Sequence, residues 1–574
     1  MKNRLNVVVA WHMHQPFYRD GAEGEYRLPW VYLHGIKDYS DMAAHLERHP
    51  LMRSVVNFTP VLLEQLDDYT QQINAFLNTD ARMHDRMLNL LAGVEPIPTD
   101  WAGRVQLLRD CQRAHAPRMI HPYPAFSSLL RLAGVTEDAN ISPDSTVHLL
   151  KYLNEQFFLD VLTWYHLVWL GFSLRDLPEV VQLFAQKTCF TVEHRLTLLR
   201  VMRDCLAGLI PRYRALAERK QIELSMTPYG HPIIPLMHSF DNMACALPDA
   251  PRPQAEGYPG GNERSAWHMT HGIAVFEHYF GCEPHGVWLA EGGISQDAIA
   301  LLDHYKIRWT ASGEAVWRNS SRLSGCAEDV IQSKRQLFAP NLNPAADVRL
   351  FFRDDGLSDL IGFRYSTWNA DDAVADFMQH INNIAVFLGD TAESQVVSVI
   401  LDGENAWEYY PDNGHYFLDA LYTALESSSK ICLTTFNEVS RVLPTVSLPK
   451  LCAGSWVYGS FSTWIGSPDK NRGWDYLVAA KLAFDAAVQA NKLDTVQMAK
   501  AIQQLAVCEG SDWFWWFGDY NSAGSVSDFE RLFREQLRSL YTLVGVEAPA
   551  QLDVPLSHGG GVAENAGTMR RNVE

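Results

Sequence analysis

Four short apolar runs, each ending in a residue suited to chemistry, constrain this chain more than any other feature. Leu5–Ala10 (LNVVVA) runs into Trp-His-Met-His-Gln-Pro, and Ile222–Met226 (IELSM) into Thr-Pro-Tyr-Gly-His-Pro. His285–Ala290 (HGVWLA) runs into Glu291. Val396–Leu401 (VVSVIL) runs into Asp402, then Gly-Glu-Asn-Ala-Trp. Short apolar runs bounded by turn residues read as buried strands. Helical stretches separate them, which predicts βαβ units and a parallel sheet. Acids, histidines and tryptophans at the C-terminal ends of separate strands are how a parallel α/β barrel builds an active site.

The rest of the chain extends this pattern. Ser54–Asn57, Ile307–Ala311, Val348–Phe352 and Ile431–Thr434 are further strand candidates, and Asp41–His49, Thr59–Tyr69 and Ser265–Phe280 read as helices. Residues 70–215 read almost wholly helical, a helical insertion on the barrel; Tyr152–Leu170 carries apolar residues at three- and four-residue spacing. Residues 241–263, rich in Pro, Gly and Ala, form a long loop near the expected active face. Past residue 445 the strand signal fades, and Trp474–Asn491, Val496–Val507 and Val526–Leu543 predict helices. The expected organisation is a catalytic barrel over 1–445, a mainly α-helical domain over 446–550 completing the active-site rim, and a disordered small, polar tail over 551–574. Length agrees: a barrel takes ~250 residues, more with insertions, so 574 residues leave room for a second unit.

The formal net charge of −19 argues against nucleic acid and anionic membranes and suits a neutral polymer. Nine cysteines without a C-x-x-C pair indicate neither a disulfide framework nor a zinc site. No run of about 18 apolar residues predicts a membrane span. The N-terminus reads as a first strand, not a signal peptide, so the expected location is cytoplasmic. Oligomeric state is not legible.

Glu291, after an apolar strand and before Gly292-Gly293, is a partly desolvated acid or a helix cap. Asp402 lies in L-D-G-E-N-A-W, a cleft acid or a turn, with Glu404 and Trp407 facing the same space. Two carboxylates at separate strand ends suit glycosidic-bond cleavage by a nucleophile and an acid/base. His12 and His14 at the first strand end suit sugar hydroxyls, a metal or structure; no convincing third and fourth ligand follows, so no metal and no cofactor is expected. His231 sits in a rigid loop between Pro228 and Pro232. Arg353, Asp354, Ser358 and Asp359 follow another strand, as site residues or exposed charge. Asp512–Phe517 (DWFWWF) is a sugar platform or a core contact. Trp464, Asp469, Asn471 and Trp474 form a polar–aromatic loop suited to a binding rim.

Taken in order, HMHQP, PYGHPIIP, WLAEGG, LDGENAWEYY and WIGSPDKNRGW resemble the motifs of glycoside hydrolase family 57. The segments FRDDGLSDLIGFRYSTW and GSDWFWWFGD resemble its α-amylase and amylopullulanase subgroup, although Ala290 stands where many members carry proline. The resemblance implies an incomplete (β/α)7 barrel followed by a helical domain. It implies a retaining mechanism at α-glucosidic bonds of starch, glycogen or maltooligosaccharides, with no metal in the chemistry. Glu291 takes the nucleophile's position and Asp402 the acid/base's. His12, His14, His231, Trp288, Asp359, Glu404, Trp407, Trp464, Asp469 and Trp474 are the expected substrate-binding residues. Alternatives are a 4-α-glucanotransferase or branching enzyme with the same site, and, in another class, a metal-dependent hydrolase built on the His12/His14 pair.

Overall fold

The computed structural model describes residues 4–21, 24–135, 149–562 and 564–571. Its strands are β1 (Leu5–Met13), β2 (Ser54–Phe58), β3 (Ile222–Met226), β4 (Trp309–Ser312), β5 (Asn341–Leu342), β6 (Arg349–Phe352), β7 (Val396–Asp402), β8 (Ile431–Leu433) and β9 (Val446–Ser447). β1 lies parallel to both β2 and β7, and β2 lies parallel to β3. β4 lies parallel to β6. Single parallel bridges join these two sheets: Met226 to Val287, Gly286 to Trp309, and Arg353 to Ser398. The ring β1–β2–β3–(286–287)–β4–β6–β7 therefore closes as a parallel barrel. β8 pairs with the start of β1, at Leu5–Val7, while β2 pairs with its end, at Ala10–Met13. β5 and β9 extend the sheet outside the ring.

The inward face follows from the period of two along a strand. Val7, Val9, Trp11 and Met13 join the large core under the surrounding helices. Val8 and Ala10 instead pack inside the barrel with Val55, Trp288, Trp309, Phe351 and Ile400, and Phe436 completes this cluster. Continuing each inward row by two residues brings His12 after Ala10, Asn57 after Val55 and Asp402 after Ile400. The register sets His12 directly between Asn57 and Asp402.

The helical insertion includes Pro60–Thr79, Glu155–Val168 and the long helix Val192–Glu218. Pro468–Gln489, Thr495–Cys508 and Ala523–Leu543 form the C-terminal helical part. A buried carboxylate at the end of the second of these, Glu509, joins that part to the barrel. It accepts from Arg264 at 2.7 Å, sits 2.8 Å from His268 Nε2 and also accepts from the Tyr258 hydroxyl. Burial opposes its charge, but Arg264 and His268 hold the carboxyl down at about 2. No helix among the described residues is long and apolar enough to cross a membrane.

Two expectations need correction. The described tail is ordered against the helical part: Leu556 and Ser557 are buried, and Trp515 Nε1 donates to the Gly567 carbonyl at 2.8 Å. Small polar composition hid anchors that need only a few side chains. The run 285–290 forms bridges only at Gly286 and Val287, then turns over Ala290–Gly292, with Glu291 at φ 57°.

Barrel closure at this point depends on a missing side chain. A Cβ on Gly286 would lie 1.9 Å from Trp309 Cε2. Gly286→Ala is expected to destabilise the protein by about 1–3 kcal/mol, as overpacking does. Calorimetry should show a lowered Tm; an unchanged Tm would contradict this closure.

Candidate active site

The three histidines form a connected set at the top of the barrel. His12 Nδ1 lies 2.7 Å from Asn57 Oδ1, and His12 Nε2 lies 3.2 Å from His231 Nε2. His14 Nδ1 faces Thr59 Oγ1 at 3.0 Å, and its Nε2 faces Asp512 Oδ1 at 2.8 Å. His231 Nδ1 meets Ser511 Oγ at 2.8 Å, and its ring stacks on His14 with centroids 3.7 Å apart. Burial, then the neighbouring His14, pushes His12 down to about 3; the same causes, with His12, hold His231 well below its ordinary range. Both are therefore neutral near pH 7.

Neutrality fixes their tautomers. Asn57 Nδ2 donates to Ser225, so Asn57 Oδ1 is the acceptor facing His12. His12 Nδ1 then carries the hydrogen and its Nε2 accepts. His231 must donate from Nε2 and accept at Nδ1 from the Ser511 hydroxyl. His14, His231 and Asp512 offer ligand atoms within 4.8 Å of one another, a grouping compatible with a metal ion. Each ring nitrogen of both histidines already has a protein partner, so a cation would have to displace these bonds.

Glu291 and Asp402 share one cleft of about 500 Å³ with His12, His14, His231, Glu404, Trp456 and Asp512. Trp456 grips Glu291 twice: its indole Nε1 donates to Oε2 at 3.0 Å and its backbone N–H to the Glu291 carbonyl at 3.1 Å. Asp402 accepts from Asn405 Nδ2 at 2.9 Å. Burial lifts Asp402 to about 6. Burial, and next the charge on Asp402, lifts Glu291 to about 8, with the Trp456 donor opposing. Between these values the pair holds one proton, a property of the two groups together.

Arg353 braces the floor. It donates to the Ile400 carbonyl at 2.8 Å and to Asp355 and Asp359 at 2.7 Å each, with its guanidinium 5.5 Å from the Trp456 ring centre. Asp359 is thus an ion-pair partner of Arg353. Glu404 lines the cleft, and burial, then Asp402, raises its carboxyl well above the usual range; Gln15 donates to it at 3.4 Å. Trp288 fills the barrel interior, and Trp407 packs edge-on against Trp11 and donates to the Gly403 carbonyl. Trp464 is fully buried beside Trp515, and Trp474 stacks on Phe514. Asp469 pairs with Arg472 and accepts from Ser557. These five are core or rim supports rather than cleft wall.

The aromatic wall is Trp456, Tyr409, Trp515, Trp516, Trp30 and Trp169, and Ala566, Thr568, Met569 and Arg570 of the tail close one side. Sequence reasoning missed Trp456, Asn57, Ser511 and the pairing role of Asp512. Only Asp512 carried a signal, as the head of the aromatic run.

The family model for glycosyl hydrolase family 57 matches residues 8–451. No curated protein matches the chain. Among solved structures, the chain is similar to a branching enzyme of this family from Thermococcus kodakaraensis, with 13% identity, TM-score 0.56, and coverage of 94% of this chain and 90% of that one. It is also similar to an α-amylase from Thermotoga maritima, at 13% identity and TM-score 0.55, covering 94% and 93%. A 4-α-glucanotransferase from Thermococcus litoralis aligns at 14% identity and TM-score 0.50, covering 94% of this chain and 60% of that one. These likenesses establish the fold.

The raised Glu291 carboxyl is testable without substrate. Infrared difference spectra of wild type against Glu291→Gln should show a protonated-carboxyl stretch at pH 7 that disappears above about pH 8. Trp456→Phe removes a donor to the charged form, so the disappearance should move to higher pH. A carboxyl already ionised at pH 5 would refute the buried-pair electrostatics.

Proposed function

We propose, from the premise that the chain belongs to glycosyl hydrolase family 57, that it is a retaining, α-amylase-like enzyme acting on α-1,4-linked glucan, and that α-1,6 bonds are a further substrate. The observation that carries this reading is that Asp402, at the end of β7, and Glu291, in the turn Ala290–Gly292, enter one aromatic-walled cleft. Glu291 attacks the anomeric carbon and forms a glycosyl-enzyme. Asp402 protonates the leaving oxygen, then takes a proton from water in the second step. This requires the shared proton to sit on Asp402 when substrate is bound. The Trp456 N–H, aimed at Glu291 Oε2, favours that distribution by stabilising the ionised nucleophile.

A sugar hydroxyl would replace the His12–His231 contact, accepting from neutral His231 at Nε2 and donating to neutral His12 at Nε2. His14 and Glu404 reach the same space. The acidic surface suits an uncharged polymer, and a cytoplasmic location fits the unpaired cysteines. A transfer reaction, as a 4-α-glucanotransferase or branching enzyme, is the second reading. The tail wall over Ala566–Arg570 favours it, since enclosing the cleft limits the water that competes with a sugar hydroxyl. A product profile from maltooligosaccharides separates the two: shorter products alone mean hydrolysis, and longer ones mean transfer.

Glu291→Gln and Asp402→Asn are each expected to lower turnover at least ~10²–10⁴-fold, the scale of acid/base catalysis, with the fold retained by circular dichroism. Near-normal cleavage of soluble starch by either variant would remove the assignment. Activity is expected to survive exhaustive chelation, because the ring nitrogens of His14 and His231 are committed to protein partners. Loss with EDTA and recovery with Zn²⁺ would favour the metal-hydrolase alternative. The newly formed reducing end is expected to keep the α configuration, since two displacements at one carbon restore the starting geometry. Proton NMR in the first minutes reads the anomer, and a β product would make Glu291 a base instead of a nucleophile.

A further inference from the structure

Cys245 and Cys452 come from segments 207 residues apart, yet their sulfurs lie 2.7 Å from one another. A formed disulfide has an S–S distance of about 2.05 Å, so only a small displacement separates this contact from a bond. The two thiols are unequal. Cys245 is exposed at the end of the turn Phe240–Cys245, whereas Cys452 is buried and its thiol is pushed up to about 12 by burial and then by Cys245. The exposed sulfur meets an external reagent first, and the buried one resolves the intermediate.

The location gives the pair a consequence. Cys452 begins the segment that reaches the nucleophile. Its N–H donates to Ser320 Oγ, Gly454 exchanges backbone hydrogen bonds with Ile294, and Trp456 donates to Glu291 through both indole and backbone. The other partner, Cys245, lies on the chain that follows the His231 loop. A covalent link here would tie the Trp456 segment to the turn Phe240–Cys245, four residues from the residue that holds Glu291.

We infer that Cys245 and Cys452 are a modification site, closing to a reversible disulfide that fastens the segment leading to Trp456. With a low-molecular-weight disulfide as oxidant, the Cys245 thiolate attacks one sulfur and expels one thiolate. The Cys452 thiol then loses its proton and attacks the Cys245 sulfur, expelling the second. Two protein thiols and one small disulfide become one protein disulfide and two small thiols. The inference stands apart from the glycosidase reading, since it concerns sulfur chemistry that either catalytic outcome leaves intact.

The test treats the full-length protein with oxidised glutathione, alkylates the remaining thiols and maps peptides without reduction. A Cys245–Cys452 cross-linked peptide is expected, together with a Tm a few degrees above that of the dithiothreitol-treated protein, because a closed loop restricts the unfolded chain. Cys245→Ser, a change at an exposed position, should abolish both the cross-link and the redox dependence of Tm. Complete alkylation of both cysteines after oxidation would overturn the inference. So would a cross-link that leaves the wild-type Tm no more redox-dependent than that of Cys245→Ser.

Discussion

The buried charge cluster around Glu509 underlies the geometry of the whole site. An ionised carboxylate with no solvent access is tolerated only when its acceptor positions are filled, and Arg264, His268 and Tyr258 fill them. All three belong to the barrel side of the chain, whereas Glu509 closes a helix of the C-terminal part. The next residues have no freedom left. The Ser511 N–H donates to the His231 carbonyl, its hydroxyl faces His231 Nδ1, and Asp512 meets His14. The Arg264–Glu509 salt bridge thus lies two and three residues before the groups that meet His231 and His14.

The Glu291–Asp402 pair shows two effects in opposition. Desolvation favours a proton on each carboxyl, and mutual repulsion prevents both from ionising together. Trp456 and Asn405 oppose this by donating to the charged forms, one to each acid. The site therefore keeps one proton at neutral pH without choosing its position strongly. In the proposed reaction, a sugar ring that displaces solvent and brings a glycosidic oxygen towards Asp402 needs only to tip this balance.

Much of this was legible in the sequence because strands and their ends obey local rules. Ile222–Met226 has the same bounds in sequence and structure, and the inward rows of β1 and β7 point straight to His12 and Asp402. Glu291 was legible as a residue but not as a conformation: its left-handed φ accompanies a backbone hydrogen bond from Trp456, a partner distant in sequence. Trp464 and Trp474 misled because polar neighbours suggested a rim, while the helix Pro468–Gln489 turns Trp474 onto Phe514. Trp456 sits in irregular chain with no periodic pattern, so its contact with Glu291 exists only in three dimensions. The tail was misread for the opposite reason. Its composition is that of a solvated segment, yet Arg570 lies over Trp515 and Tyr520.

The order of the site along the chain has a consequence for how it comes into being. His12 and His14 emerge first during synthesis, and both carboxylates are present once residue 402 has been added. Trp456, Ser511 and Asp512 are still to come at that point, and Arg570 lies further on. A nascent chain therefore holds Glu291 and Asp402 for a long interval without the Trp456 donor to Glu291 or the groups that align the histidines. The site's geometry is complete only late, when the C-terminal helical part has been made.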